Sequence, residues 1–151
     1  MSKLAEFFQA THTQLGVVFY PTHFMFAAFP SLALARDARA RLIECGFAEK
    51  GVHVASDTEV LEFFKEFRGE KSAWSRFVRG LGLIEELRFC ELDIERACAG
   101  ACFVAVHCCT EKEARRIKRE ADQFSIIGMQ WYRSFTIHYW EKTKQKANPK
   151  P

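Results

Sequence analysis

The stretch FMFAAFPSLALARDARARLIECGFAEKGVHVAS, residues 24–56, decides the fold. Its two ends, Phe24–Phe29 and Val52–Ser56, are short apolar runs rich in aromatic or β-branched residues, which is typical of strands. Between them Ser31 can cap the start of a helix and Gly46 its end. The apolar residues of that helix recur at helical spacing, and they are Leu32, Ala35, Ala38, Leu42 and Ile43. The stretch therefore predicts a strand–helix–strand unit of about 33 residues.

A second unit of the same kind begins at the apolar run Cys102–His107. Thr110 and Glu113 then form a capping box at the start of TEKEARRIKREADQF, and Phe135–Trp140 closes the unit as the last strand. Two such halves predict an α+β fold, and specifically a ferredoxin-like split βαβ sandwich. Its four-stranded antiparallel sheet would have the strand order 4-1-3-2.

The rest of the chain is arranged around these halves. Residues 1–140 are predicted to form one α+β domain, with a helical insertion over residues 57–100 after the second strand and an N-terminal helix over residues 2–15. The insertion is predicted to hold helices at Asp57–Phe67, Ser72–Leu87 and Glu91–Cys98. Residues 141–151 are predicted to be a flexible Lys-rich tail.

Composition limits the class of protein. The chain has 151 residues with 48% hydrophobic content, which suits one folded domain and excludes global disorder. It contains 22 Lys+Arg and 19 Asp+Glu, but residues 141–151 hold four of the Lys and one Glu. The remaining body is therefore neutral, and its composition does not indicate a strongly basic nucleic-acid surface.

The six cysteines raise the question of compartment. No secretory signal and no run of 18 or more apolar residues is visible, so we predict a cytoplasmic protein with reduced thiols and no membrane span. Cys98 and Cys102 form the nearest candidate metal pair, but they need partners from elsewhere in the fold. Cys102 and Cys108 lie about 20 Å apart in an extended chain, too far to share one ion. We predict no metal and no cofactor, and buried structural thiols rather than a nucleophile formed by His107 with Cys108 or Cys109.

Three histidines and one tryptophan are the candidate ligand-binding residues. Strand parity places His53 on the face of Ala55 and His107 on the face of Phe103 and Ala105. Because the second and third strands are neighbours in the predicted sheet, His53 and His107 would lie side by side. A pocket for a small or haem-like ligand would be lined by all four candidates, which are His53, His107, His138 and Trp140. The alternative, which we favour, is hydrogen-bonded histidines at strand ends.

The first strand, Phe24–Phe29, is apolar on both faces. A two-layer sandwich exposes polar residues on its open face, so something is expected to cover the second face. The insertion helices, the N-terminal helix or a second subunit could do so, and from this we predict a homodimer.

The sequence contains only weak signals for nucleic-acid binding. In the helix over residues 111–123 the cations alternate with acids, as in the pair Glu111 and Arg115, which favours a solvated face. The strand ACFVAVHC lacks the aromatic and glycine pattern of an RNA-recognition sheet. No phosphate-binding loop or known catalytic motif is present either, so we expect no specific nucleic-acid partner and lean against an enzyme.

The order of elements resembles the small bacterial general-stress or heat-induced-stress type of α/β domain. The similar segments cover about half of the chain, and they are Ala38–Phe47, Val52–Glu59, Glu91–Cys98, Val104–Val106 and Glu111–Ile117. The resemblance implies a fold and a link to stress, and it carries over no catalytic residue. The sequence thus predicts a non-enzymatic interaction or sensing module. The alternative is a small dimeric enzyme, or a binder of a hydrophobic or haem-like ligand.

Overall fold

The structure is a computed structural model that describes Leu4, Phe7 and residues 12–15, 18–21, 23–67, 84–133 and 136–141. The fold is α+β. Its strands are β1 His12–Leu15, β2 Val18–Pro21, β3 Phe24–Phe29, β4 Val52–Ala55, β5 Cys102–His107, β6 Gly128–Arg133 and β7 Thr136–Glu141. Its helices are α1 Leu32–Glu44, α2 Asp57–Phe67, α3 Ile84–Cys98 and α4 Glu111–Ala121.

Five strands form one antiparallel sheet in the order β4-β5-β3-β6-β7, and β1 and β2 form a separate hairpin. The prediction of four strands is therefore wrong. β3, β4 and β5 occur where the sequence predicts them and are neighbours in the predicted order. The place beside β3 that was predicted for Phe135–Trp140 belongs to β6, and β7 is the edge strand beyond it. The sequence predicts no strand over residues 128–133, where Gln130 interrupts the apolar pattern.

Two helical predictions also need correction. The N-terminal helix was predicted to reach Leu15, yet His12–Leu15 is a strand, while Leu4 and Phe7 are helical. The break predicted after Leu87 is absent, because α3 runs without interruption from Ile84 to Cys98. The predicted helix over residues 72–87 and the predicted tail lie largely outside the described residues. None of the described helices combines the length and the apolar composition needed to cross a membrane.

The predicted helix caps are confirmed. The Ser31 hydroxyl accepts a hydrogen bond from the Leu34 amide at 3.2 Å and starts α1. The Thr110 hydroxyl accepts one from the Glu113 amide at 3.2 Å and starts α4. After α1 the backbone turns at Gly46, whose φ of 102° lies in the region that favours glycine. Local sequence thus fixes both helices that the two strand–helix–strand halves require.

Helices cover both faces of the sheet. On one side, the α1/α4 face, Met25, Phe29 and Trp131 pack against residues of α1 and α4. On the other side, the α2/α3 face, Phe26 and Phe103 pack with residues of α2, α3 and Leu4. The second apolar face of β3 is therefore covered by this chain's own elements. The homodimer stays a prediction, but the uncovered face that motivated it is not present.

Candidate functional site

His53 and His107 lie on the α2/α3 face, as strand parity predicts. His53 pairs with Ala105 in the register between β4 and β5, so His107 is its diagonal neighbour two residues along. The ring of Phe7 stacks on both imidazoles, with ring centroids 5.6 Å from His53 and 4.3 Å from His107. The Phe7 ring thus lies in the space that a ligand shared by these two histidines would need.

His53 is held from a second direction by α2. Its Nε2 lies 3.0 Å from Glu59 Oε1, and both side chains are about one-fifth exposed. The backbone amide of Glu59 donates to the Ser56 hydroxyl at 3.2 Å. Ser56 therefore caps the start of α2, while the Glu59 carboxylate is directed to the histidine.

His107 has the less satisfied imidazole of the two. Its Nε2 is buried and has no hydrogen-bond partner among the described residues. Burial lowers the pKa of His107 below its ordinary value, and a backbone hydrogen bond with Phe7 acts in the opposite direction. The neutral imidazole is therefore the form that suits the docked Phe7.

The other two predicted site residues lie elsewhere. Trp140 stacks on Trp131 at a centroid distance of 6.4 Å and packs on the core of the α1/α4 face. His138 pairs with Trp131 in the register, on β7, three strands away from β5. The structure thus brings His53 and His107 together, and it leaves Trp140 on the opposite side of the sheet.

The cysteines form no centre in the described residues. Cys102 and Cys108 are buried as predicted, but Cys98 and Cys109 are exposed, and all four are free thiols. Burial raises the pKa of Cys108 to about 12, and its thiol donates to the Thr110 carbonyl at 3.4 Å. Such a thiol is a poor nucleophile at neutral pH. No group of three or more His, Cys, Asp or Glu in the described part of the chain is arranged to hold a metal ion.

A buried polar cluster that sequence reasoning missed joins α3 to β6 and β7. We call it the Asp93 cluster, and its members are Asp93, Arg96, Gln130, Tyr132 and Tyr139. Asp93 and Gln130 are essentially inaccessible to solvent, at 1% and 0% exposure. In the carboxamide orientation that satisfies both residues, Gln130 Nε2 donates to the two Asp93 oxygens at 2.9 and 3.2 Å.

Arg96 closes the cluster on the side of the edge strand. Its Nη2 donates to the Tyr139 hydroxyl at 2.9 Å, and its Nη1 lies 3.9 Å from Asp93 Oδ1. A Cβ at Gly128 would lie 2.7–3.0 Å from the guanidinium, so a larger residue there would displace the end of the Arg96 side chain from the cluster. Despite Arg96, burial raises the pKa of Asp93 to about 8. Desolvation therefore outweighs the opposite charge, and the carboxyl is largely protonated at pH 7.

The sequence did contain a signal for this cluster. Gln130 stands at an alternate position of GMQWYR, where a buried strand would have an apolar residue, and a buried amide needs a polar partner. The signal is readable only once β6 is recognised as a strand. Asp93 by itself looks like an ordinary acid on a helix.

Comparison with known proteins adds no relative: no family model, no curated protein and no solved structure gives a significant match to this chain. The chemistry of the site must therefore be argued from its own residues. They comprise one imidazole that can gain a proton next to a docked ring, and one carboxyl that can lose a proton inside the core.

Proposed function

We propose that this protein is a non-enzymatic interaction or sensing module, in which His107 detects protons and the N-terminal segment around Phe7 responds. One observation carries the proposal: the Phe7 ring stacks against both imidazoles. A substrate pocket would need that space, whereas a sensor needs a contact that a protonation event can break.

The coupling follows from His107. In the docked state its Nε2 is buried without an acceptor, so protonation there places a charge in a site that does not solvate it. Undocking of Phe7 would expose the imidazole to water and return its pKa toward the ordinary value of 6.5. By linkage, protons therefore favour the undocked segment. Docking is most stable above pH 6.5 and weakens as the pH falls below it.

The charged groups near Phe7 are consistent with undocking of Phe7 at low pH. Among the described residues, His53 on β4 also stacks on Phe7, and Glu59 on α2 lies 3.0 Å from His53. Gly51 approaches His107 from the turn before β4 and carries no charge. The carboxylate of this group therefore lies at His53, whereas the buried Nε2 of His107 has no hydrogen-bond partner among the described residues.

We expect the backbone amides next to Phe7 to lose protection from hydrogen exchange when the pH is lowered from 7.5 to 5.5. The measurement is peptide-level exchange by mass spectrometry, corrected for the intrinsic pH dependence. H107F keeps an aromatic ring against Phe7 but cannot be protonated, so its N-terminal protection should be equal at the two pH values. H53F is the matched control and should keep the response. A wild-type segment that is equally protected at both pH values, in a folded protein, refutes the sensor.

The alternative is a small dimeric enzyme or a binder of a hydrophobic or haem-like ligand. It would need Phe7 to leave so that His53 and His107 could face a ligand together. Native mass spectrometry of the full chain separates the two functions. We expect the mass of the chain with no additional small molecule. A co-purified ligand on most molecules, lost in the H53A/H107A variant, would favour the binder.

Four finer assignments belong to this proposal. We infer a ferredoxin-like sheet, supported by the order β4-β5-β3-β6, to which β7 is added at the edge. A role in stress and a cytoplasmic location are supported by the resemblance and by the cysteine content of the sequence. A homodimer is supported by the outer edge of β7, which has no strand partner among the described residues. The native mass spectrum reports the dimer as well.

A further inference from the structure

Four cations form a continuous stripe on the exposed side of α4. We call it the α4 stripe, and its members are Lys112, Arg115, Arg116 and Arg119, at positions i, i+3, i+4 and i+7. The Arg115 and Arg119 side chains are 77% and 72% exposed. Together with Glu111 the stripe lines an open groove of about 550 Å³. It lies on the opposite side of the sheet from His53 and His107, so a binding role for the stripe is independent of the proposed function.

The acids of α4 are mostly turned away from the stripe, which the sequence alone does not reveal. Glu120 accepts a hydrogen bond from Arg41 of α1 at 2.9 Å, and Arg41 lowers the pKa of Glu120. Asp122 pairs with Lys118 at 2.9 Å, and Glu113 accepts a hydrogen bond from Thr110. The acids and cations that alternate in the sequence of α4 therefore lie mostly on different sides of the folded helix.

Two acids remain in contact with the stripe, and two further contacts hold Arg116. Glu111 pairs with Arg115 at 2.7 Å, and Glu120 Oε1 lies 3.8 Å from Arg119. Both arginines are largely exposed, where ion pairs contribute little and exchange readily with other anions. Arg116 donates to the Cys45 carbonyl and lies over the Phe47 ring at 5.3 Å, which fixes its guanidinium at the edge of the groove.

We propose that the α4 stripe binds the phosphate backbone of nucleic acid without reading its sequence. Arginine presents a donor geometry that matches phosphate oxygens, and the stripe extends over about 10 Å of helix. Over that length a strand of duplex presents about three phosphates. The groove carries four cations against one acid, so its charge is complementary to such a backbone.

A membrane surface fits the same residues less well. An interfacial helix inserts an apolar side beneath its cationic one. In α4 the apolar residues Ala114, Ile117 and Ala121 are instead buried against the sheet. The stripe therefore has no adjacent apolar surface to enter a bilayer.

The test is fluorescence anisotropy of a labelled 20-base-pair DNA duplex titrated with the full chain at several salt concentrations. Each phosphate contact contributes about 0.9 to the slope of log K against log salt. We expect a slope of about −3 for the wild type. The variant K112Q/R119Q should reduce its magnitude by roughly 2 and weaken binding at least tenfold at low salt. The control R36Q/K50Q removes two exposed cations outside the stripe and should keep the wild-type slope.

Each other outcome overturns the assignment. If the wild type does not bind the duplex, the stripe has no such role. If K112Q/R119Q and R36Q/K50Q lose affinity equally, the attraction is spread over the whole surface rather than confined to the stripe. A slope that disappears when Lys142, Lys144, Lys146 and Lys150 are changed to Gln, but not in K112Q/R119Q, would place the contacts in the C-terminal residues. Binding to phosphatidylserine vesicles in preference to the duplex would assign the stripe to a membrane.

Discussion

Asp93→Asn is expected to become more stable than the wild type as the pH rises. The pKa of Asp93 is raised from 3.8 to about 8 by burial, so the folded state favours the protonated carboxyl. The stability that the protonated Asp93 carboxyl contributes is fully present below about pH 4, and it is lost as the pH rises through about 8. Within that window the wild type should lose on the order of 1 kcal/mol per pH unit from this one group. Asparagine is neutral throughout and similar in shape.

The measurement is the free energy of unfolding by urea at pH 5, 6, 7 and 8, for the wild type and the variant. Groups that titrate alike in both proteins cancel, so the difference isolates Asp93. Asp37→Asn is the matched control, because Asp37 is exposed on α1, and its difference from the wild type should stay constant. Parallel curves for Asp93→Asn and the wild type would show that Asp93 is ionised in the core across this range.

Trp131→Ala should destabilise the protein by about 3–5 kcal/mol. Trp131 is the largest fully buried side chain among the described residues and is 2% exposed. Its Nε1 donates to the Cys108 carbonyl at 3.2 Å, and its ring stacks on Trp140. Truncation therefore leaves a cavity between the sheet and α1 and α4, and it removes the donor for a buried carbonyl.

Trp131→Phe separates the two contributions. It keeps an aromatic ring and loses the N–H donor, so we expect a smaller loss of about 1–2 kcal/mol in the same urea titration. A loss below about 1 kcal/mol for Trp131→Ala would contradict the placement of β6 inside the sheet, because a residue in a surface connection tolerates truncation.

The predictable part of the fold is the part with local signals. Ser31 and Thr110 cap α1 and α4, and β3, β4 and β5 are short apolar runs bounded by turn residues or charge. Each of these features is decided by residues close together in the chain. For that reason the sequence predicts both strand–helix–strand halves and their order in the sheet.

The β6–β7 hairpin was missed because its signals are weak. Only two residues separate Arg133 from Thr136, and they are Ser and Phe rather than the Asn-Gly or Asp-Gly pair that marks a tight hairpin. Gln130 also breaks the apolar pattern of β6, since its partner Asp93 lies on a helix far away in sequence. A residue whose environment is set by a distant element cannot be interpreted from its own neighbours.

The candidate site was likewise predictable only where local sequence determines it. Parity along β4 and β5 is enough to predict that His53 and His107 share a face and are neighbours. Parity does not tell what lies above them, and Phe7 reaches that position from the N-terminal segment. Parity also does not reveal that β6 lies between β3 and β7, or that Trp140 packs on the α1/α4 face, away from the two histidines.

The most direct test of the sensor is the environment of the Phe7 ring itself. We would place 4-fluorophenylalanine at position 7 alone and follow its fluorine NMR signal from pH 7.5 to pH 5. The wild type should move from the shift of a packed ring to that of a solvent-exposed ring with a midpoint below pH 6.5, and H107F should keep the packed shift throughout. A wild-type signal that stays at one position across this range, while the protein remains folded, would contradict the account.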